Sequence, residues 1–162
     1  MLHSIVVADD RLPVRIELRH LLEKEIDLYL AGEASESHYL AELIQALQPD
    51  VLILNMRMLG AKPQDSLEHL STLSRHTRMI LLTHNQADDD ARLALRSGAA
   101  AYVLRESCLQ EMIRAVHSVL SGYRFLGSPF YDRAVESYIS KKRCLSPDPS
   151  QMLDFEFHHF YT

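Results

Sequence analysis

No apolar run among the 162 residues approaches the roughly 18 that a membrane-crossing helix needs, so no membrane role is expected. The opening MLHSIVVADD has no basic stretch before its short apolar run and meets two aspartates at once. A secretory leader is therefore not expected either. Cysteine is scarce. Cys108 and Cys144 make neither a disulfide framework nor a zinc-ligand spacing, which fits a reducing cytoplasm. Positive charge is also short: the formal net charge is −5, whereas a nucleic-acid binder usually carries a basic face. There are five glycines, and none falls in VVADDRLPVR, so a phosphate-cradling loop is missing after the first apolar run. No nucleophile elbow and no cysteine at a strand end point to an enzyme. What remains is ordinary for one folded domain plus an extension, with 47% apolar and 24% charged residues.

What is present alternates. Ser4–Ala8 is a short apolar run, and Val14, Leu18, Leu21 and Leu22 then recur on one face of a helix. Pro13 suits that helix's first turn. Leu28–Gly32 reads as a second strand, and Leu40, Leu43, Ile44 and Leu47 as a second helix. Val51–Leu54 is a third, wholly apolar strand ending at Asn55. Leu67, Leu70 and Leu73 mark a short third helix, and Met79–Thr83 a fourth strand. A fourth helix is expected from Ala87 to Ser97, with Gly98 as its left-handed stop. Ala101–Leu104 is the fifth strand. A Ser107–Gln110 capping box opens a fifth helix through Leu109, Met112, Ile113, Val116 and Leu120, which Gly122 ends.

Five βα units in series, with strands apolar on both faces, predict a doubly wound, three-layer α/β sandwich around a buried parallel sheet. Functional groups in such folds gather beyond the carboxyl ends of the strands. That rule selects Asp9, Asp10, Asn55, Thr83 and Arg105.

These residues resemble a response-regulator receiver domain. The likeness rests on Asp9-Asp10 after the first strand, Thr83 after the fourth, and GAAAYVLR before the fifth helix, and it covers residues 1–122. The stretch GYRFLGSPFYDRAVESYI resembles the linker after receivers of the NarL/FixJ type. The resemblance implies a flavodoxin-like (βα)5 fold of strand order 2-1-3-4-5. It also implies Mg²⁺ binding at Asp9 and Asp10, a phosphoryl-contacting hydroxyl at Thr83, and a switch aromatic at Tyr102. It further implies an aspartate phosphoacceptor and a lysine, and here the sequence departs, with Asn55 and Arg105 at those positions. The loop MLGAKPQDS also differs, with Leu59 in place of the family's proline.

A neutral carboxamide cannot form the acyl phosphate that a carboxylate forms, and its presence removes one negative ligand. Asp9 and Asp10 alone are expected to hold Mg²⁺ weakly or not at all. Arg105 is expected to reach back to Asp9 or Asp10 as a built-in counterion. Thr83 has a plainer alternative role as a cap for the next turn. His84 is expected at the pocket mouth or in a solvent-facing loop, and Asp88, Asp89 and Asp90 in the first turn of a helix.

The organisation expected is a receiver over 1–122, a linker helix over 123–143 beginning at Ser128-Pro129, and an aromatic tail over 144–162. No helix-turn-helix domain is expected. The tail carries Phe155, Phe157, Phe160, Tyr161, His158 and His159, and Lys141–Arg143 precede it. The expected role is a cytoplasmic, non-enzymatic signalling module that works by protein–protein contact or homodimerisation. The contact would use helices one and five, or the face of helix four, strand five and helix five. No cofactor beyond weak Mg²⁺ and no direct nucleic-acid binding are expected. The alternative is the receiver half of a LuxR-type transcription regulator whose DNA-binding domain is absent from this chain.

Overall fold

The computed structural model describes residues 1–85, 87–105 and 109–144. The strands are β1 (His3–Ala8), β2 (Leu28–Ala34), β3 (Val51–Asn55), β4 (Arg78–Thr83), β5 (Ala101–Leu104) and β6 (Phe125–Leu126). The helices are α1 (Leu12–Glu23), α2 (Ser37–Leu47), α3 (Pro63–Leu73), α4 (Asp88–Arg96), α5 (Leu109–Leu120) and α6 (Phe130–Cys144). A 3₁₀ turn, Met56–Leu59, joins β3 to α3.

All strand pairings are parallel, and the sheet order is β2-β1-β3-β4-β5-β6. The expected order 2-1-3-4-5 is present, extended by one strand. Phe125 and Leu126 pair with Ala101 and Tyr102 and occupy an edge of β5 that would otherwise expose unpaired backbone groups. Two residues inside a linker give no periodic signal, so this strand was not legible in the sequence.

The pleat sends alternate residues to opposite faces. Val51 and Ile53 of β3 pack toward Val14, Leu18 and Leu22 of α1 and Val116 and Val119 of α5. Leu52 and Leu54 pack toward Leu40 and Ile44 of α2, Leu67 and Leu70 of α3, and Ala94 and Leu95 of α4. Each fully buried aliphatic side chain contributes about 1.5–3 kcal/mol, so β3, buried along its whole length, is central to the fold.

Helix α3 begins at Pro63, earlier than its leucine stripe alone marks, with proline in the first turn. Leu59 turns inward and is buried in the same core layer as Leu67, and Ser66 Oγ donates to its carbonyl at 2.8 Å. The altered loop is therefore anchored to the core. Gly98 and Gly122 adopt φ of 105° and 89° after α4 and α5, as their expected stop roles require.

Helix α6 starts just after Ser128-Pro129, as expected, but it packs onto the sandwich. Phe130 and Tyr131 are buried in the layer that holds Tyr102 and Leu104. The rings of Tyr102 and Phe130 meet edge to face, 4.9 Å apart at 70°. Ser107 of the expected capping box, Cys108, and the aromatic tail with His158 and His159 lie outside the described residues.

Candidate functional site

The parallel strands bring Asp9, Asp10, Asn55, Thr83 and Arg105 to one end of the sheet. Asp9 follows β1 directly and is fully buried. Its two carboxylate oxygens have different partners. Oδ1 accepts the Arg11 backbone N–H at 2.9 Å, and Oδ2 accepts the Asn55 Nδ2–H at 3.1 Å. The Asp9 carbonyl accepts from Arg15 Nη1 at 2.7 Å. Asp10 is about half exposed, with 45% of its side chain accessible.

Asn55 ends β3 and is 1% exposed. Its Oδ1 accepts the Arg57 N–H at 3.0 Å and so starts the 3₁₀ turn. The two bonds fix the amide orientation, since the backbone N–H needs an oxygen and the Asp9 carboxylate needs a donor. Both polar ends of Asn55 are engaged inside the protein.

The counterion of the acidic pair is Arg11. Its Nε lies 3.6 Å from Asp9 Oδ1 and 4.0 Å from Asp10 Oδ1, and its Nη2 donates to His84 Nε2. Arg105, expected to play this part, makes no ion pair with Asp9 or Asp10. Its Nη1 donates to the same His84 Nε2 at 3.2 Å. The reason is local. Arg11 is the next residue after Asp10, and its own amide already caps Asp9, so its side chain starts beside both acids. Arg105 starts across the pocket at the end of β5 and is held by the imidazole. An arginine can only donate, so His84 Nε2 serves as acceptor for both guanidinium groups. His84 thereby links Arg11 and Arg105 at this end of the sheet. The sequence signal for Arg11 was its place immediately after Asp-Asp.

Thr83 is 4% exposed, and its Oγ1 accepts the Asn85 N–H at 3.0 Å. This is the turn-capping geometry. Asn85 passes the chain on to α4 by accepting the Ala87 N–H through Oδ1 at 3.0 Å and donating to Asp90 Oδ2 at 2.7 Å. Tyr102 is fully buried on β5, next to Thr83, and its hydroxyl makes no hydrogen bond of normal geometry among the described residues. Burial pushes this phenol above its ordinary value, the nearby Thr83 hydroxyl works in the opposite direction, and the Asp90 carboxylate adds to the rise.

A Mg²⁺ ion needs convergent oxygen ligands with uncompensated charge. Here both Asp9 oxygens accept hydrogen bonds, Asn55 presents its NH₂ rather than its oxygen to Asp9, and a guanidinium lies over Asp9 and Asp10. The set as arranged does not fit Mg²⁺.

The family model described as the response regulator receiver domain matches residues 5–117. The chain belongs to that family. Among curated relatives of this receiver, the nitrate/nitrite response regulator protein NarL of Escherichia coli K12 is 24% identical over 149 residues, covering 92% of this chain and 69% of NarL. A solved two-component response regulator of the LuxR family from Aurantimonas sp. SI85-9A1 superposes with a TM-score of 0.78 at 22% identity, over 86% of this chain and 99% of that one. The signal receiver domain of the putative response regulator NarL from Mycobacterium tuberculosis superposes at 0.69 with 28% identity, over 75% and 98%. The chain covers 69% of that NarL and 54% of the uncharacterized transcriptional regulatory protein YxjL of Bacillus subtilis. It is thus a flavodoxin-like response-regulator receiver, similar to regulators described as NarL and LuxR-family proteins. No described helix is long and apolar enough to cross a membrane.

Proposed function

We propose that this chain is an atypical receiver that signals through protein–protein contact and takes no phosphoryl group at Asn55. The observation that carries the reading is the double engagement of the Asn55 amide, by Arg57 N–H and by Asp9. A carboxamide is no nucleophile toward phosphorus, and this one is tied at both ends. Arg11 over Asp9 and Asp10 supports the same conclusion, because it supplies permanently the positive charge that a metal ion would bring. On this reading the module is cytoplasmic, needs no Mg²⁺ and catalyses no reaction. Thr83, Tyr102 and Arg105 are remnants of a phosphoryl pocket.

Its output is contact with a protein partner or a second copy. Of the two candidate faces, the side formed by α1 and α5 is favoured. The chain's own β6 pairs along β5 and its α6 packs over Tyr102, which covers part of the α4–β5–α5 face. Leu12 and Ile16 of α1 meanwhile stay exposed at 54% and 37%. The second reading, a receiver half of a LuxR-type transcription regulator, draws on the greater length of the curated relatives.

Titration with Mg²⁺ and beryllofluoride, followed by amide NMR, tests the proposal. Unchanged resonances around Asp9, Asn55, Thr83 and Tyr102 are expected. Saturable shifts at Thr83 and Tyr102 in the native chain would overturn it.

A further inference from the structure

The end of the sheet opposite Asn55 carries a separate cluster. Glu25 and Asp27 lie in the turn between α1 and β2, and His117 lies in the last turn of α5. We propose that these three side chains form a binding site for one divalent transition-metal ion of the zinc class.

One ligand atom from each residue lies within 4.8 Å of the other two. His117 Nε2 is 3.1 Å and 3.4 Å from the two Asp27 carboxylate oxygens. Tetrahedral zinc with bonds of about 2.0–2.1 Å separates its ligand atoms by roughly 3.3 Å. The hydrogen-bonded Asp27–His117 pair lies close to that separation, so an ion that displaces the shared proton would need only small shifts, and a Glu25 carboxylate oxygen lies within 4.8 Å of both.

The three ligands stand on fixed backbone. The Glu25 N–H donates to the Leu22 carbonyl at 3.0 Å, and the Asp27 carbonyl accepts the His3 N–H at 2.8 Å. His117 follows the fully buried Val116, and Val119 is buried just beyond it. The ligands come from two distant parts of the sequence and are held together by the α1–β1–α5 layer.

Charge favours a cation here. Both α1 and α5 end near the cluster, and helix carboxyl ends carry partial negative charge. The two carboxylates add to it and repel each other. Among the described residues, the only ion pair to either one is the His117–Asp27 contact, with no lysine or arginine within 4.0 Å. An imidazole with two carboxylates suits zinc-class ions better than magnesium, which prefers oxygen alone. Side-chain exposures of 41% for His117 and 40% for Asp27 leave room for water or an outside donor to complete the coordination. The site is independent of the Asn55 pocket and of any phosphoryl chemistry.

The test is a titration of the full chain, freed of metal with a chelator, with zinc sulfate. Calorimetry reads the affinity and amide NMR locates the site. His117→Ala, Asp27→Asn and Glu25→Gln are run alongside, with a His158→Ala/His159→Ala chain as control for other imidazoles. One ion per chain is expected, with shifts centred on residues 25–27 and 117. Binding should weaken at least tenfold in His117→Ala and in Asp27→Asn and stay unchanged in the tail variant. The replaced side chains are partly exposed, so circular dichroism should show folded variants. No binding, or binding that ignores His117→Ala and Asp27→Asn, or binding lost only with the tail histidines, would overturn the assignment.

Discussion

Asn55 donates its side-chain amide to the buried carboxylate of Asp9 at 3.1 Å. An ionised aspartate at this position has no proton to give. It would instead set two buried carboxylates against each other, unless a cation came between them. The carboxamide thus turns a repulsive pair into a hydrogen-bonded one without a metal.

The first prediction follows from that bond. Asn55→Asp should lower stability by about 1–3 kcal/mol in chelator-treated buffer, the usual range when a buried polar group loses its partner. Added Mg²⁺ should restore part of the loss in the variant and leave the native chain unmoved. Urea unfolding with and without Mg²⁺ measures both effects. A variant as stable as the native chain in the absence of metal would show that the Asn55–Asp9 bond contributes little.

Arg11 and Arg105 should separate cleanly. Arg11→Ala uncovers Asp9 and Asp10 and should raise Mg²⁺ affinity, at a stability cost of about 1 kcal/mol for a partly exposed pair. Arg105→Ala touches neither acid and should leave Mg²⁺ binding as it is. Calorimetric titration of the two variants decides the matter. A larger gain from Arg105→Ala would mean that Arg105, not Arg11, is the working counterion.

Phe130 ties α6 to the sandwich through its edge contact with Tyr102 and lies 5.3 Å below the Arg133 guanidinium. Phe130→Ala should destabilise the chain by about 3–5 kcal/mol, as buried phenylalanine truncations do. Hydrogen exchange should quicken along α6 and at Tyr102. Unchanged protection at Tyr102 would mean that α6 is not what holds the ring inward.

Glu111 links α5 to the start of α6, its Oε1 accepting the Ser128 N–H at 2.6 Å. Gly127, where a Cβ would run into this carboxylate, leaves it room. Burial pushes the Glu111 carboxyl above its ordinary value. The Ser128 N–H and Arg114 oppose the shift, and Asp132 adds to it. A carboxyl raised in the folded state binds more protons folded than unfolded, so its stabilising contribution is complete below the unfolded value and is lost as pH rises through the folded one. Stability should therefore fall with rising pH between the ordinary glutamate range and the raised native value. Glu111→Gln keeps an acceptor and should flatten that slope. Melting temperature against pH for the two chains is the measurement, and parallel curves would refute the role of Glu111.

The layered fold was largely legible in the sequence, because runs such as Val51–Leu54 are apolar on both faces and helix stripes such as Val14, Leu18 and Leu22 repeat at one period. The two-residue β6 was not legible, since pairing with an open sheet edge depends on where the chain returns rather than on periodicity. The strand-end rule found Asp9, Asp10, Asn55, Thr83 and Arg105, which the structure brings to one pocket. It did not choose between two arginines, because the choice depends on where each side chain starts and on what His84 holds. The Glu25–Asp27–His117 cluster was equally hidden, His117 lying about 90 residues from the other two and meeting them only through the packing of α5 against α1.

The most direct test of the central claim is intact-mass measurement after incubation with acetyl phosphate and Mg²⁺, with an Arg11→Ala/Asn55→Asp chain alongside. The native chain should keep its mass, while the double variant should gain one acid-stable, alkali-labile phosphoryl group. A native chain that gains such a group, mapped to the peptide containing Asn55 or a neighbouring pocket residue, would contradict the account of this receiver as a phosphorylation-independent module.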